Sequence, residues 1–124
     1  MTVIAEILDW LCGETGATIG PNPPEGGLAI VQSGGGVPDK HLDANMVATM
    51  QVILSSKGKN QLTALNAIDT AYKVVTKTLS FPAETAWQVI NIDTITAPTL
   101  AEIEEEGAFF YNCILEITYY WREA

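Results

Sequence analysis

The side chains that could carry chemistry are few and scattered. The chain has one histidine, His41, in a polar stretch with Asp39, Lys40 and Asp43. A catalytic base needs a nucleophile and an orienting acid within reach, and no spacing around His41 supplies them. It reads as a solvated loop histidine. The two cysteines, Cys12 and Cys113, lie far apart in the sequence, each in an apolar stretch. They are too few for a disulfide framework and too distant for a metal knuckle, so two reduced, buried thiols are expected. A zinc site would need both thiols, His41 and a carboxylate to converge. No metal, no cofactor and no catalytic residue follows from these residues.

Ser33-Gly34-Gly35-Gly36 invites a phosphate-loop reading. Such a loop follows a strand and opens a helix whose first amides face the anion. Here the glycines run into Val37-Pro38 and a second strand pattern, which reads as a flexible connection between two strands. Glu102, Glu104, Glu105 and Glu106, with Asp93, suggest divalent-cation binding, yet the alternating acids and central glycine of an EF-hand are absent. A solvated acidic turn is the plainer reading. The charge is nevertheless uneven. Residues 84–124 hold eight acids and one base, whereas residues 1–83 hold seven acids and five bases.

Those residues sit in a chain of 124, long enough for one domain spanning 1–124. Hydrophobic residues make up 48% and charged residues 17%, so a real core is expected and disorder is excluded as the default. A net charge of −9 repels phosphate backbones and anionic lipid, which argues against a nucleic-acid grip or a membrane-surface role. No apolar run approaches the roughly 20 residues of a membrane span. MTVIAEILDWL has no basic leader and carries acids within its apolar stretch, so a secretory signal is not expected and synthesis in the cytosol is.

The elements follow from periodicity. Val3, Ile4, Ile7, Leu8 and Leu11 mark an amphipathic helix, with Thr2 as N-cap and Gly13 as stop. A Pro/Gly segment follows, then a short strand from Gly27 to Ser33 and a better one from Met46 to Ser56. In the latter Met46, Ala48, Met50, Val52 and Leu54 alternate onto one face, and Val47, Thr49, Gln51 and Ile53 onto the other. Asn60 can cap a helix from Gln61 to Leu79, whose stripe would be Leu62, Leu65, Ile68, Tyr72, Val75 and Leu79. A third strand runs from Thr85 to Thr96, interrupted by Ala97-Pro98, and a fourth from Ala108 to Trp121.

The order is α-β-β-α-β-β. It predicts a two-layer α+β domain, with one mixed sheet of about four strands packed by two helices. The long helix makes the second and third strands parallel, while the first and last pairs can be antiparallel. Two helices cover one face, and the other face is the open question. On the last strand Phe109, Tyr111, Cys113, Leu115, Ile117, Tyr119 and Trp121 share one side. The opposite side still carries Phe110, Ile114 and Tyr120 among polar residues, more apolar than a face left to water. Either a loop or the Pro-rich arm folds over it, or it is a subunit interface, where aromatic residues are enriched.

In the order and length of these pieces the chain resembles the small tail-terminator and minor capsid proteins of long-tailed, siphovirus-type bacteriophages. The resemblance covers nearly the whole chain. It runs from the opening helix with Asp9-Trp10-Leu11 and the turn from Gly20 to Gly27, through GLAIVQSGGGVPDKHLDAN and Met50-Gln51-Val52-Ile53. It continues with NQLTALNAIDTAYKVVTKTL, Ala97-Pro98, the acidic turn and FFYNCILEITYYWRE. Ser55-Ser56-Lys57 stand where an arginine is often found in the family.

The resemblance implies a structural virion protein, not an enzyme. Proteins of that family form a homo-oligomeric ring, typically a hexamer, at the head-proximal end of the tail. The ring ends tail-tube polymerisation and meets the head-completion or connector protein, and DNA passes through it without sequence-specific binding. Assembly would take place in the host cytoplasm. The implied subunit interface is Phe110, Ile114 and Tyr120 with the loops from Pro21 to Gly27 and Gly34 to Asn45. Glu102, Glu104, Glu105 and Glu106 would line the lumen or a docking face, where carboxylates let DNA slide. A neck or head-completion protein is the alternative in the same class. A monomeric α+β ligand-binding module is the alternative outside it, and an enzyme ranks third.

Overall fold

A computed structural model describes residues 3–35, 39–40, 45–77 and 87–122. Helix α1 (Val3–Thr15) is followed by β1 (Thr18–Ile19), β2 (Leu28–Gly35), β3 (Asp39–Lys40) and β4 (Asn45–Gly58). Helix α2 (Gln61–Lys77), β5 (Trp87–Ile103) and β6 (Phe109–Arg122) complete the chain. The class is α+β, with one mixed sheet and two helices. Five strands run in the order β1-β2-β4-β6-β5, and the two-residue β3 pairs with β4 off this path. The two short strands are what the fourfold count from sequence left out. Two residues carry no alternation that periodicity could detect.

Strand β4 pairs antiparallel with β2 on one edge and with β6 on the other, and β5 pairs antiparallel with β6. Strands β4 and β5 therefore run in the same direction, as a helical crossover requires, but β6 lies between them. The parallel pairing in the sheet is β1 with β2.

The core fills one side of this sheet. Ile7, Leu8 and Leu11 of α1 and Ala64, Ile68, Ala71 and Val75 of α2 pack with Ile30, Met50, Val52, Leu54, Val89, Cys113, Leu115 and Ile117. The alternation holds along β6 and from Ala48 to Leu54 of β4, and beyond it Ser55 and Ser56 are both buried. The stripe expected on α2 holds in part: Ile68 and Val75 are in the core, and Leu65 and Tyr72 pack at its margin. Leu62 is 64% exposed, Leu65 and Tyr72 are half-buried, and the buried line runs through Ala64, Ile68, Ala71 and Val75. Small residues let the helix backbone approach the sheet, and the larger side chains then flank the contact rather than fill it.

The junction of β4 and α2 shows how close that approach is. The Ser56 hydroxyl donates to the Ala64 carbonyl at 2.8 Å. A Cβ on Gly58 would lie 3.2 Å from the Ala64 nitrogen. Asn60 caps the helix as its sequence position predicts, its Oδ1 accepting from the Leu62 amide at 2.9 Å. Helix α1 passes Gly13 and ends at Thr15, with Gly16 at φ +77° receiving the turn. The expected cap Thr2, the stripe residue Leu79 and His41 lie outside the described residues.

Strand β5 departs most from the sequence reading. It continues through Ala97-Pro98 to Ile103, and only Glu104 to Gly107 form the turn. The proline is tolerated because β5 is the last strand of the sheet, where a missing amide donor breaks no ladder.

Candidate functional site

Both helices contribute to a single core cluster, whose strand residues all come from one side of the sheet. No described helix lies on the other side. In an antiparallel pair, residues directly opposite share a face, so the register defines that second surface row by row. Lys57, Phe110 and Glu102 form one row, and Val31, Ile53, Ile114 and Thr96 another. Val47, Tyr120 and Gln88 form a third near the far end. Between them lie polar rows, Gln51-Glu116-Asp93 and Thr49-Thr118-Asn91.

Phe110, Ile114 and Tyr120 therefore share this open face, and all three are half-buried. They do not form one cluster. At about 3.3 Å per residue, Phe110 and Tyr120 are roughly 33 Å apart along β6. Ile114 has the most apolar surroundings, because Val31 and Ile53 continue its row across two further strands. Sequence reading put Ile53 on the correct side of β4 but did not join it to Ile114, since nothing local specifies which residues face each other across strands.

The acids gather at the Phe110 end. Glu102 is paired across the strand with Phe110, and Glu105 and Glu106 are exposed in the β5–β6 turn. Gly107 adopts φ +88° there, and its amide donates to the Glu104 carbonyl at 2.8 Å. Glu104 differs from its neighbours. Its carboxylate lies 3.1 Å from Lys57 Nζ and holds the turn against β4. The hydrogen bond that the Lys57 ammonium donates to Glu104, and next the charge of that carboxylate, raise the Lys57 pKa above the ordinary lysine value, with Glu25 and Glu106 adding to the effect. The four carboxylates are thus one ion-paired hairpin anchor and three exposed acids.

The Pro-rich loop is tied to the same end. Gly26 donates its amide to the Lys57 carbonyl at 2.8 Å, and Glu25 Oε1 accepts from the Lys59 amide at 2.8 Å. Pro23 is buried while Pro21, Asn22 and Pro24 are exposed. The loop is held at its far end by Glu25 and Gly26, while Pro21, Asn22 and Pro24 stay exposed. The second loop of the expected interface, from Gly34 to Asn45, lies largely outside the described residues. Gly34 and Gly35 are part of β2 itself, so the glycine run begins inside the strand.

No family model matches this chain, and no curated protein matches it. The site therefore rests on its own geometry.

Among the described residues no group of three or more His, Cys, Asp or Glu side chains converges as a metal site would. Cys113 is buried on the core side, and burial pushes its thiol up to about 12. Cys12 is half-buried rather than fully buried, as α1 leaves one flank to solvent, and its thiol is raised by burial and by Asp9. Both are free thiols. No described helix is long and apolar enough to cross a membrane.

What sequence reading missed is the outer edge of the sheet. Ile90, Ile95, Leu100 and Ile103 on β5 are all exposed. Their signal was present in the sequence as an apolar residue recurring out of step with strict alternation, a pattern that β-bulges produce.

Proposed function

We propose that this chain is a structural virion protein of the tail-terminator type, a subunit of a homo-oligomeric ring, a hexamer in the simplest case. The ring would end tail-tube polymerisation and join the tail to the head. The observation that carries this reading is the open face. It offers Phe110, Ile114 and Tyr120 along one strand, with Val31 and Ile53 beside Ile114 and no described helix covering them. A face of this kind suits contact with another protein better than exposure to water.

The partners in this reading are further copies of the chain, the tail-tube protein and the head-completion or connector protein. DNA passes through the lumen without sequence-specific binding. Glu102, Glu105 and Glu106 are the residues assigned to the lumen or to a docking face, and their charge would keep phosphates from sticking. Glu104 serves the fold through Lys57.

Sedimentation of the native chain, alone and with assembled tail tubes, tests the reading. A closed oligomer, or a ring formed on tube ends, is expected. Neutralising Glu102, Glu105 and Glu106 together should leave folding intact and impair tail joining or DNA passage. Normal joining and passage would remove the lumen assignment.

A further inference from the structure

Helix α2 covers its side of the sheet unevenly. Its first turns lie over β4 and β6, where the Ser56 hydroxyl bonds the Ala64 carbonyl and Gln61 Nε2 donates to the Tyr111 hydroxyl at 2.8 Å. Further along it reaches β5, through a 2.8 Å hydrogen bond between the hydroxyls of Tyr72 and Thr94. The residues of β5 on the helix side record the divergence. Trp87 and Val89 are buried and Ile92 is half-buried, whereas Leu100 is 37% exposed and Ile103 57%. Beyond the Tyr72–Thr94 bond a wedge therefore opens between the flank of α2 and β5.

Its walls are apolar. Leu65 lies two turns before Tyr72 on the same flank of α2, and Leu62 one turn earlier. Helix and strand run in opposite directions, since Gln61 meets Tyr111, the cross-strand partner of Leu100. At 1.5 Å per residue Leu62 is about 15 Å from the level of Tyr72. Leu100 is about 13 Å from the level of Thr94, counted along β6 between their partners Tyr111 and Leu115. The two leucines therefore stand level across the wedge, with Ile103 at its mouth. Seven large apolar side chains are exposed among the described residues, and Leu62, Leu100 and Ile103 are the three that meet in one place.

We infer that this wedge is a docking groove for a basic amphipathic helix of another protein. The inference does not depend on the ring reading. Charge sets the partner's chemistry. Residues 87–107 hold five acids and no base, and residues 61–72 hold Asp69 and no base. Glu102 adjoins Ile103, and Glu105 and Glu106 stand in the turn just beyond it, all three exposed. Of the bases at this end, Lys57 pairs with Glu104 and Lys59 stands next to Glu25. A second copy would bring the same acids to the same mouth, whereas a cationic partner meets complementary charge.

The layer sets the partner's shape. Packed helices lie 8–10 Å apart, about the width of two strands. Helix α1 packs on β1 and β2, and α2 chiefly on β4 and β6 at its first turns. A third helix in this layer falls beside α2 and over β5, where no described helix lies. From the level of Thr94 to that of Ile103 the wedge is about 20 Å long, room for roughly 13 helical residues. Leucines three and four apart on such a helix would meet Leu62, Leu65, Leu100 and Ile103, with lysines on its margins facing the acids.

The probe is a synthetic helical peptide of about 13 residues, leucines on one face and lysines on the other, titrated into the full chain and followed by methyl NMR. Controls are a scrambled peptide of the same composition and a leucine–glutamate version. Saturable binding of the amphipathic basic peptide alone is expected. Its shifts should centre on Leu62, Leu65, Leu100 and Ile103 and spare Val74, which lies on the opposite flank of α2. The double variant Leu100→Thr, Ile103→Thr is expected to bind about tenfold more weakly, and Val74→Thr as the wild type. Both replace exposed side chains, so both should keep the wild-type thermal transition. Absence of binding would overturn the proposal. So would equal binding of either control, or an affinity unchanged in the double variant, because attraction to acidic surface alone needs no groove. Concentration-dependent shifts of the same methyls without peptide would give the wedge to a second copy and overturn it as well.

Discussion

The indole Nε1 of Trp87 donates a 2.6 Å hydrogen bond to Glu6 Oε2, joining the first helix to the first residue of the edge strand across 81 residues of chain. Trp87 is 4% exposed, so its donor has no water to turn to if the carboxylate is lost. A hydrogen bond to a charged group contributes about 1.5–3 kcal/mol. Glu6→Ala is therefore expected to lower the unfolding free energy by about 2 kcal/mol in urea titration, and Glu6→Gln by less. Equal, negligible effects of both would show that the bond contributes nothing.

The alanines of α2 set the distance between helix and sheet. Ala71 is 3% exposed and Ala64 is fully buried. Leucine at position 71 must push the helix away, at a cost of about 1–3 kcal/mol. Leucine at the exposed position 70, in place of Thr70, is expected to cost nothing. Thermal denaturation of the two variants distinguishes a packed alanine from a merely helix-favouring one.

Alkaline pH tests the buried thiol. Burial raises Cys113 from an ordinary 9.0 to about 12, and raises the Tyr119 phenol as well. Both groups are neutral when protonated, and the unfolded chain ionises first. The stability they contribute is complete below about pH 9 and is lost as pH rises towards 12. Unfolding free energy is expected to fall by about 1 kcal/mol per pH unit from Cys113 in that window. Cys113→Ala should flatten the profile, leaving the part due to Tyr119.

Glu104 anchors the β5–β6 turn through Lys57, and its removal has a direct readout. In Glu104→Gln the Lys57 ammonium is expected to titrate closer to the ordinary lysine value, followed by NMR of its side chain. Glu105→Gln should leave Lys57 unchanged. A shift of equal size in both variants would mean that the pair at 3.1 Å is not what raises Lys57.

The class of the fold was legible wherever one strand face was buried and the other was not. Alternation in β4 and β6 assigned Met50, Leu54, Leu115 and Ile117 to the core and Phe110, Ile114 and Tyr120 to the other side, because a period of two leaves no ambiguity. Helix α2 lies where its periodicity predicts, with its buried line shifted towards the small residues. Ile68 and Val75 lie in the core as their spacing predicts, whereas close packing adds Ala64 and Ala71 and leaves Leu62 exposed. The third strand reads from sequence as ending at Thr96, before Ala97-Pro98, whereas β5 runs on to Ile103, since nothing local says that a strand lies at an edge. The Glu6–Trp87 and Lys57–Glu104 pairs were out of reach for a different reason. Each joins residues distant in sequence, and only the register of the finished sheet brings them together.

Sedimentation of the native chain across a concentration series, at low and moderate salt, tests the central claim most directly. Each protomer carries a net charge of −9, so copies repel one another until salt screens them, while apolar contact is unaffected by screening. The expected result is a single closed oligomer near six times the 13.4 kDa protomer mass, more populated at the higher salt. A monomer at every concentration and salt, with assembled tail tubes present as well as absent, would contradict it.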